Sequence, residues 1–178
     1  MMLKRNLKYW HFGRNLKMSN ERVFLALGSN VGDRLQNLVK ALQYLKKKVA
    51  ITQCSSVYTS QPMYILKQPE FYNMAIEVVT ELSPEELLHF CKEIEQTVGR
   101  VQRQRNGPRE IDVDILFYGN REVSQPNLQI PHPRIAERPF VVVPLVEIAP
   151  EYQHLVEDLG EFEPLIKSVS AGKLQTLL

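Results

Sequence analysis

From residue 22 onward, compact apolar runs alternate with longer stretches whose apolar positions recur every three or four residues. Residues 22–28 (RVFLALG) form an apolar run that stops at Gly28-Ser29-Asn30, the pattern of a buried strand entering a turn. Leu35, Leu38, Leu42 and Leu45 then fall at helical spacing, and Lys46, Lys47 and Lys48 follow at the end where the helix dipole favours cations. Ala50 to Thr59, rich in β-branched and small residues, reads as one second strand. Gln61 to Pro69 holds two prolines and reads as a loop, and Phe71 to Glu81 reads as a third strand. Ser83-Pro84-Glu85-Glu86 is a capping box with proline in the first helical turn. Leu87, Cys91, Ile94 and Val98 form the buried stripe of that helix, and Gly99 ends it. A polar loop from Gly99 to Arg109 leads into a fourth strand, Ile111 to Tyr118, closed by the turn Gly119-Asn120.

The order β-α-β-β-α-β predicts an α+β chain of the ferredoxin-like arrangement, an antiparallel sheet with both helices on one face. Beyond Gly119, Pro126, Pro131, Pro133, Pro139, Pro144 and Pro150 predict a C-terminal wrap of short strands and turns. With no repeat, low-complexity tract or long linker, residues 21–178 are expected to form a single domain.

Composition narrows the function classes. The 178 residues are 44% hydrophobic and 24% charged, enough for a packed core, and no apolar run approaches the roughly 18 to 20 residues of a membrane helix. The net charge of +2 hides an asymmetry: residues 1–20 carry Lys4, Arg5, Lys8, Arg14 and Lys17 and no acid, which leaves 17 basic against 20 acidic groups elsewhere. The body is mildly acidic and predicts neither a nucleic-acid nor a membrane partner. The basic start lacks the apolar stretch of a secretory signal and is expected to be a disordered extension, or to precede a true start at Met18. Cys54 and Cys91 cannot build a disulfide framework or a four-cysteine zinc site, so a reducing, cytoplasmic setting is expected.

Within the strand Ile111-Asp112-Val113-Asp114-Ile115, residues two apart share a face, so Asp112 and Asp114 project together while their apolar neighbours enter the core. Two anions so placed need compensation: a divalent cation, with magnesium the natural choice for hard oxygen ligands shared with phosphates, or pairing to lysine or arginine. The preceding loop carries Arg100, Arg103, Arg105 and Arg109, whose guanidinium forks match phosphate oxygens. Alone it reads rather as a solvated or RNA-binding loop; opposite two carboxylates it favours a metal–polyphosphate site. His132, clamped between Pro131 and Pro133, and Arg138 add phosphate-type donors, and Glu95 is a carboxylate beside the buried helix stripe. Phe71, Asn73 and Phe140 are core aromatics and an amide by default, or the shelf for a flat heterocycle. There is no GxxxxGK[ST] loop, no GxGxxG fingerprint and no nucleophile–base arrangement.

Five segments together carry a resemblance: residues 26–34 (ALGSNVGDR), 55–63 (SSVYTSQPM), 68–78 (QPEFYNMAIEV), 107–119 (GPREIDVDILFYG) and 130–150 (IPHPRIAERPFVVVPLVEIAP). In this order, over about residues 22 to 160, the chain resembles the 6-hydroxymethyl-7,8-dihydropterin pyrophosphokinases of folate biosynthesis. The resemblance implies a ferredoxin-like enzyme that moves pyrophosphate from ATP to the pterin hydroxymethyl group and releases AMP; a monomer is expected. It also implies site roles. Asp112 and Asp114 correspond to ligands of two magnesium ions, Arg100 and Arg109 to catalytic loop arginines, and Glu95, Arg100, His132 and Arg138 to ATP contacts. Ser60, Pro62, Met63, Phe71, Asn73 and Phe140 correspond to the pterin site. Four positions depart from common members: Phe71 for tyrosine, Asn106 for tryptophan, Gln102 for arginine and Pro133 for an aromatic residue, which leaves closure of the loop over the site in question. A ferredoxin-like RNA-binding module and another magnesium-dependent phosphoryl or nucleotidyl transferase are the competing classes.

Overall fold

Leu38, Leu42 and Leu45 are fully buried on one side, and Leu145 and Val142 on the other, of a sheet whose strands are apolar toward both. The computed structural model describes residues 21–178; the basic segment 1–20 lies outside the described residues. In chain order the elements are β1 (Val23–Ser29), α1 (Arg34–Leu45), β2 (Ala50–Cys54), β3 (Val57–Ser60), β4 (Phe71–Val79), α2 (Pro84–Val98), β5 (Asp112–Tyr118), β6 (Val123–Gln125), β7 (Leu128–Ile130), α3 (Pro139–Ile148), α4 (His154–Glu157), β8 (Ile166–Val169) and α5 (Ala171–Gln175).

The six-stranded antiparallel sheet runs β5-β1-β4-β3-β8, with β2 also pairing β4. Its first four segments give the expected ferredoxin-like order. Alternation along β1 explains the two faces: Val23, Leu25 and Leu27 pack under α1 and α2, while Phe24 turns to the opposite side. The start of α2 is as expected, since Ser83 Oγ accepts from the Glu86 N–H at 3.2 Å and Glu86 Oε2 accepts from the Ser83 N–H at 2.7 Å. Gly99 then adopts φ +108°, a left-handed cap.

Two expectations need correction. The single strand foreseen over Ala50 to Thr59 is broken at Ser55-Ser56. The Ser55 hydroxyl accepts from the Ala75 N–H at 2.9 Å, and Ser56 offers its N–H and hydroxyl to Glu147 at 2.9 and 2.8 Å, so side chains take over where the ladder would run. The C-terminal wrap contains more than short strands and turns. Pro139–Ile148 is a ten-residue helix with Pro139 in its first turn and Pro144 inside it. It covers the second face of the sheet, meeting Phe24, Ala75 and Leu116 through Val141, Val142 and Leu145. Proline in a helix interior is locally unfavourable, and only burial of an almost wholly apolar helix against a waiting face offsets it.

Glu147 of this helix also receives the Tyr58 hydroxyl at 3.0 Å and Lys167 at 3.2 Å, tying α3 to β3 and β8. The apolar helix contributes more to stability than the cap. Leu145→Ala is expected to lower unfolding free energy by about 2–5 kcal/mol and Ser83→Ala by about 1 kcal/mol, as measured by urea denaturation.

Candidate functional site

β5 is an edge strand, and its polar face opens where the arginine loop, the β3–β4 loop and the N-terminus of α3 converge. Val113 and Ile115 are buried as expected, while Asp112 and Asp114 keep 20% and 31% of their side chains exposed on the other face. Two clefts meet there. One, an open cleft of about 660 Å³ including the solvent space at its mouth, is lined by Gly28, Ser60, Met63, Tyr64, Phe71, Asn73, Phe140 and Arg138. The other, about 710 Å³, is a basin of Arg100, Arg103, Arg105, Arg109, Arg134 and Arg138 with His132 at its wall. Asp112 and Asp114 border both.

The compensation of the two carboxylates is unequal. Arg100 Nη1 donates to Asp112 Oδ1 and Arg109 Nη1 to Oδ2, each at 2.6 Å. Burial alone would raise the Asp112 carboxyl, but Arg109 and Arg100 outweigh it and hold it below the usual range. Among the described residues, the charged side chains within 4 Å of Asp114 are Arg138 at 3.6 Å and His132 at 4.0 Å, and Lys92 adds a longer-range attraction. Burial, reinforced by Asp112, pushes its carboxyl up to about 6. His132 is itself pushed down to about 4 by burial beside Arg138 and Arg134, so near neutral pH it does not form an ion pair with Asp114. Its Nδ1 accepts from the Arg134 N–H at 3.2 Å, which leaves the ring proton on Nε2, the nitrogen nearer Asp114.

Behind Asp112 lies a second layer that borders neither cleft. Glu95 is 3% exposed; its carboxylate accepts from Lys92 at 2.8 Å and from the Val113 N–H at 3.0 Å, and contacts Arg100. Burial, opposed by Lys92, raises its carboxyl above the ordinary value. Arg100 is thereby held between Glu95 on α2 and Asp112 on β5.

The apolar cleft has an amide floor. Asn73 is buried and donates through Nδ2 to Ser60 Oγ at 2.8 Å, and its Oδ1 lies 3.0 Å from where a Cβ on Gly28 would stand. Any side chain at position 28 would therefore push against the amide. Arg109 lies over the Phe71 ring at 5.9 Å and Arg138 over the Phe140 ring at 5.8 Å, so an aromatic ring flanked by a guanidinium stands on each side of the junction. Of the residues anticipated here, Ser60, Met63, Phe71, Asn73 and Phe140 line the cleft, and Pro62 is buried behind it.

Sequence reasoning missed the residues that bind the loops together. Asn30, 2% exposed, donates through Nδ2 to Gln68 Oε1 and Pro69 O at 3.1 and 3.0 Å and accepts the Arg109 N–H at 2.8 Å. Gln68 Nε2 donates to Asn106 O at 3.1 Å and to Ile65 O at 2.8 Å. Asn106, with φ +61°, turns the arginine loop in the left-handed region that asparagine tolerates. The base of that loop is closed by Arg103 on Glu110, at 2.9 and 2.7 Å; Arg103 holds the Glu110 carboxyl down to about 2. An amide at a turn and a glutamine in a loop carry no signal of their own; only the long-range contact reveals them. Lys92 could have been found, standing one helical turn before Glu95.

Among the described residues, no group of three or more His, Cys, Asp or Glu side chains is placed to hold a metal alone. What stands here is a pair of carboxylates, arginine donors opposite, and an apolar slot alongside.

The sequence profile described as 7,8-dihydro-6-hydroxymethylpterin-pyrophosphokinase matches residues 24–150. A folic acid synthesis protein of Dictyostelium discoideum is 45% identical over 140 residues, covering 79% of this chain and 21% of that protein. A mitochondrial folate synthesis bifunctional protein of Pisum sativum is 47% identical, covering 75% and 26%. The chain thus spans about a quarter of the length of these relatives. A 2-amino-4-hydroxy-6-hydroxymethyldihydropteridine pyrophosphokinase of Aquifex aeolicus is 42% identical, covering 80% of this chain and 90% of that one. Among solved structures, an HPPK-DHPS in complex with substrates shares the fold with TM-score 0.63 at 16% identity, over 78% of this chain and 42% of that one.

Two outcomes are expected from this geometry. Gln68→Ala removes the direct link between the two loops and leaves the bridge through Asn30, so amide hydrogen exchange should accelerate over both 61–70 and 100–109, while global stability falls by no more than about 1 kcal/mol. Because folding raises the Asp114 carboxyl, the stability it contributes is complete below its unfolded value near 4 and is lost as pH rises through about 6. Asp114→Asn should therefore melt higher than the parent at pH 7.5 in chelator, with the gain shrinking below pH 6 and gone below about pH 4; thermal melts across pH check this.

Proposed function

This chain belongs to the 7,8-dihydro-6-hydroxymethylpterin-pyrophosphokinase family, and on that premise we propose that it transfers the β,γ-pyrophosphoryl group of ATP to the hydroxymethyl oxygen of 6-hydroxymethyl-7,8-dihydropterin, releasing AMP, as a step of folate synthesis. The observation that carries this reading is the carboxylate pair bordering both clefts, one apolar with an amide floor and one lined by arginines. A flat heterocycle fits the first and a polyphosphate the second, which brings the acceptor hydroxyl and the phosphorus together beside Asp112 and Asp114.

In this proposal Phe71 and Phe140 flank the pterin, Asn73 and Ser60 read its polar edge, and the Pro62-Met63 stretch offers backbone groups beside it. Arg109, His132 and Arg138 meet the phosphates, as does the cleft-facing side of Arg100. Glu95, with Lys92, Val113 N–H and Arg100 already on its carboxylate, acts by holding Arg100. Two carboxylates without a third acid fit magnesium, which takes one or two carboxylates and completes its shell with water and phosphate oxygens. When bound with ATP, such ions neutralise phosphate charge and stabilise the leaving AMP. Asp112 and Asp114 would hold them. Arg100 and Arg109, which otherwise neutralise Asp112, would turn to the phosphates, so the same guanidinium groups serve the empty and the loaded site. Positioning and electrostatics do the work, because no side chain here is arranged as a covalent nucleophile.

We read the enzyme as a monomer working in the cytoplasm, a setting that agrees with Cys54 and Cys91 both being free thiols. No helix among the described residues is long and apolar enough to cross a membrane. An RNA-binding reading would use the arginine basin but leave the apolar cleft and the acid pair idle.

Phosphorus NMR of the protein with ATP, magnesium and 6-hydroxymethyl-7,8-dihydropterin should show AMP and a pterin diphosphate appearing together. ADP would overturn the assignment. Asp114→Asn should lower turnover by about a hundredfold or more across a full magnesium titration while its circular dichroism is unchanged.

A further inference from the structure

Tyr64 has no role in the reading above, yet it sits where the two clefts join. It is 42% exposed, an aromatic ring on a short loop between Pro62 and Pro69. The ring forms part of the wall of the apolar cleft. It also lies 5.5 Å from the Arg134 guanidinium and 6.0 Å from that of Arg138, both of which belong to the arginine basin. Its hydroxyl accepts from Arg138 Nε at 3.4 Å.

Arg138 is the group through which this contact matters. It is 7% exposed, and three elements reach it: Tyr64 from the β3–β4 loop, Asp114 from β5 at 3.6 Å, and Phe140 from the first turn of α3 at 5.8 Å. The long reach from Tyr64 is the adjustable one. A hydrogen bond of 3.4 Å is at the weak end of its range, and a half-exposed ring on a loop moves at little cost, whereas β5 and α3 are packed into the core. Filling the apolar cleft presses on the Tyr64 ring directly, and tightening its contact to Nε leaves the Arg138 Nη groups with fewer orientations toward the basin.

We propose that Tyr64 is a positioning residue that couples the two substrates: a heterocycle in the apolar cleft seats the Tyr64 ring, and its hydroxyl then fixes Arg138 for the polyphosphate. This rests on the assignment of the clefts to pterin and ATP. Ordering Arg138 before the nucleotide arrives removes an entropic cost from nucleotide binding, and linkage requires the nucleotide to tighten heterocycle binding by the same factor. The residue acts through Arg138 and touches no reacting atom.

The test is calorimetric titration with magnesium and α,β-methylene-ATP, which cannot undergo cleavage between the α and β phosphorus atoms. Titrations are run with and without saturating 6-hydroxymethyl-7,8-dihydropterin on the parent protein, Tyr64→Phe and Tyr64→Ala. In the parent the pterin should tighten nucleotide binding about tenfold. In Tyr64→Ala that factor should fall below about twofold, with nucleotide affinity in the absence of pterin nearly unchanged; Tyr64→Phe, which keeps the ring and loses the hydroxyl, should lie between. In steady state, Tyr64→Ala should raise the KM for ATP at saturating pterin more than it lowers kcat. An unchanged coupling factor in Tyr64→Ala overturns the proposal, as does an equal loss of nucleotide affinity with and without pterin, the signature of a merely structural residue. A parent protein that binds nucleotide but no pterin overturns the functional assignment itself, and the coupling with it.

Discussion

Two carboxylates two residues apart on one face of a strand repel each other, and the architecture around β5 is organised by that repulsion. Asp112 is relieved by two arginines at 2.6 Å, whereas Asp114 has Arg138 at 3.6 Å and only longer-range attraction from Lys92 and Arg109. The imbalance leaves one carboxyl below its ordinary range and the other near 6. A structural ion-pair cluster would have neutralised both. Keeping one acid under-compensated at the junction of two clefts costs stability, and such a cost persists where a site is built to receive further positive charge.

The edge position of β5 makes this possible. A central strand would have both flanks occupied by ladder partners; here only β1 pairs with β5, and the arginine loop folds over the open end. The second layer then sets the direction of the first. Glu95 is too buried to meet solvent, yet by accepting from Lys92 and the Val113 N–H it becomes a fixed anchor for Arg100. On the other side α3 carries Arg138 at its N-cap and Phe140 in its first turn, while its apolar length is buried against the sheet. Packing energy spent on the helix thus also fixes a guanidinium and a ring at the mouth of the site.

Much of this was legible in advance. Period-two alternation placed Asp112 and Asp114 on one face, and the capping box placed the start of α2, because both signals are local. The break at Ser55-Ser56 was not legible, since it depends on Ala75 and Glu147 reaching those serines from distant parts of the chain. The helix at Pro139–Ile148 was hidden for a related reason: two prolines argue against helix locally, and the apolar face that overrules them belongs to other strands. Among site residues, the acids, arginines and histidine announce themselves by type and spacing. Asn30, Gln68 and Tyr64 do not, because their roles lie in which loop they touch.

By itself the sequence determined the alternation of strands and helices over residues 22–118, apart from the break at Ser55-Ser56, the shared face of the two aspartates and, through five ordered motifs, the family. These follow from spacing along the chain, which needs no partner to be read. Only the tertiary structure decided which arginine neutralises which acid, that Glu95 faces inward to hold Arg100, and that Asn30 and Gln68 bind three loops into one wall. Those outcomes turn on distances of a few ångströms between residues whose separation along the chain runs from 3 to 79 positions. Charge pairing and hydrogen bonding are short-ranged enough that nothing but the folded arrangement can choose among the candidates.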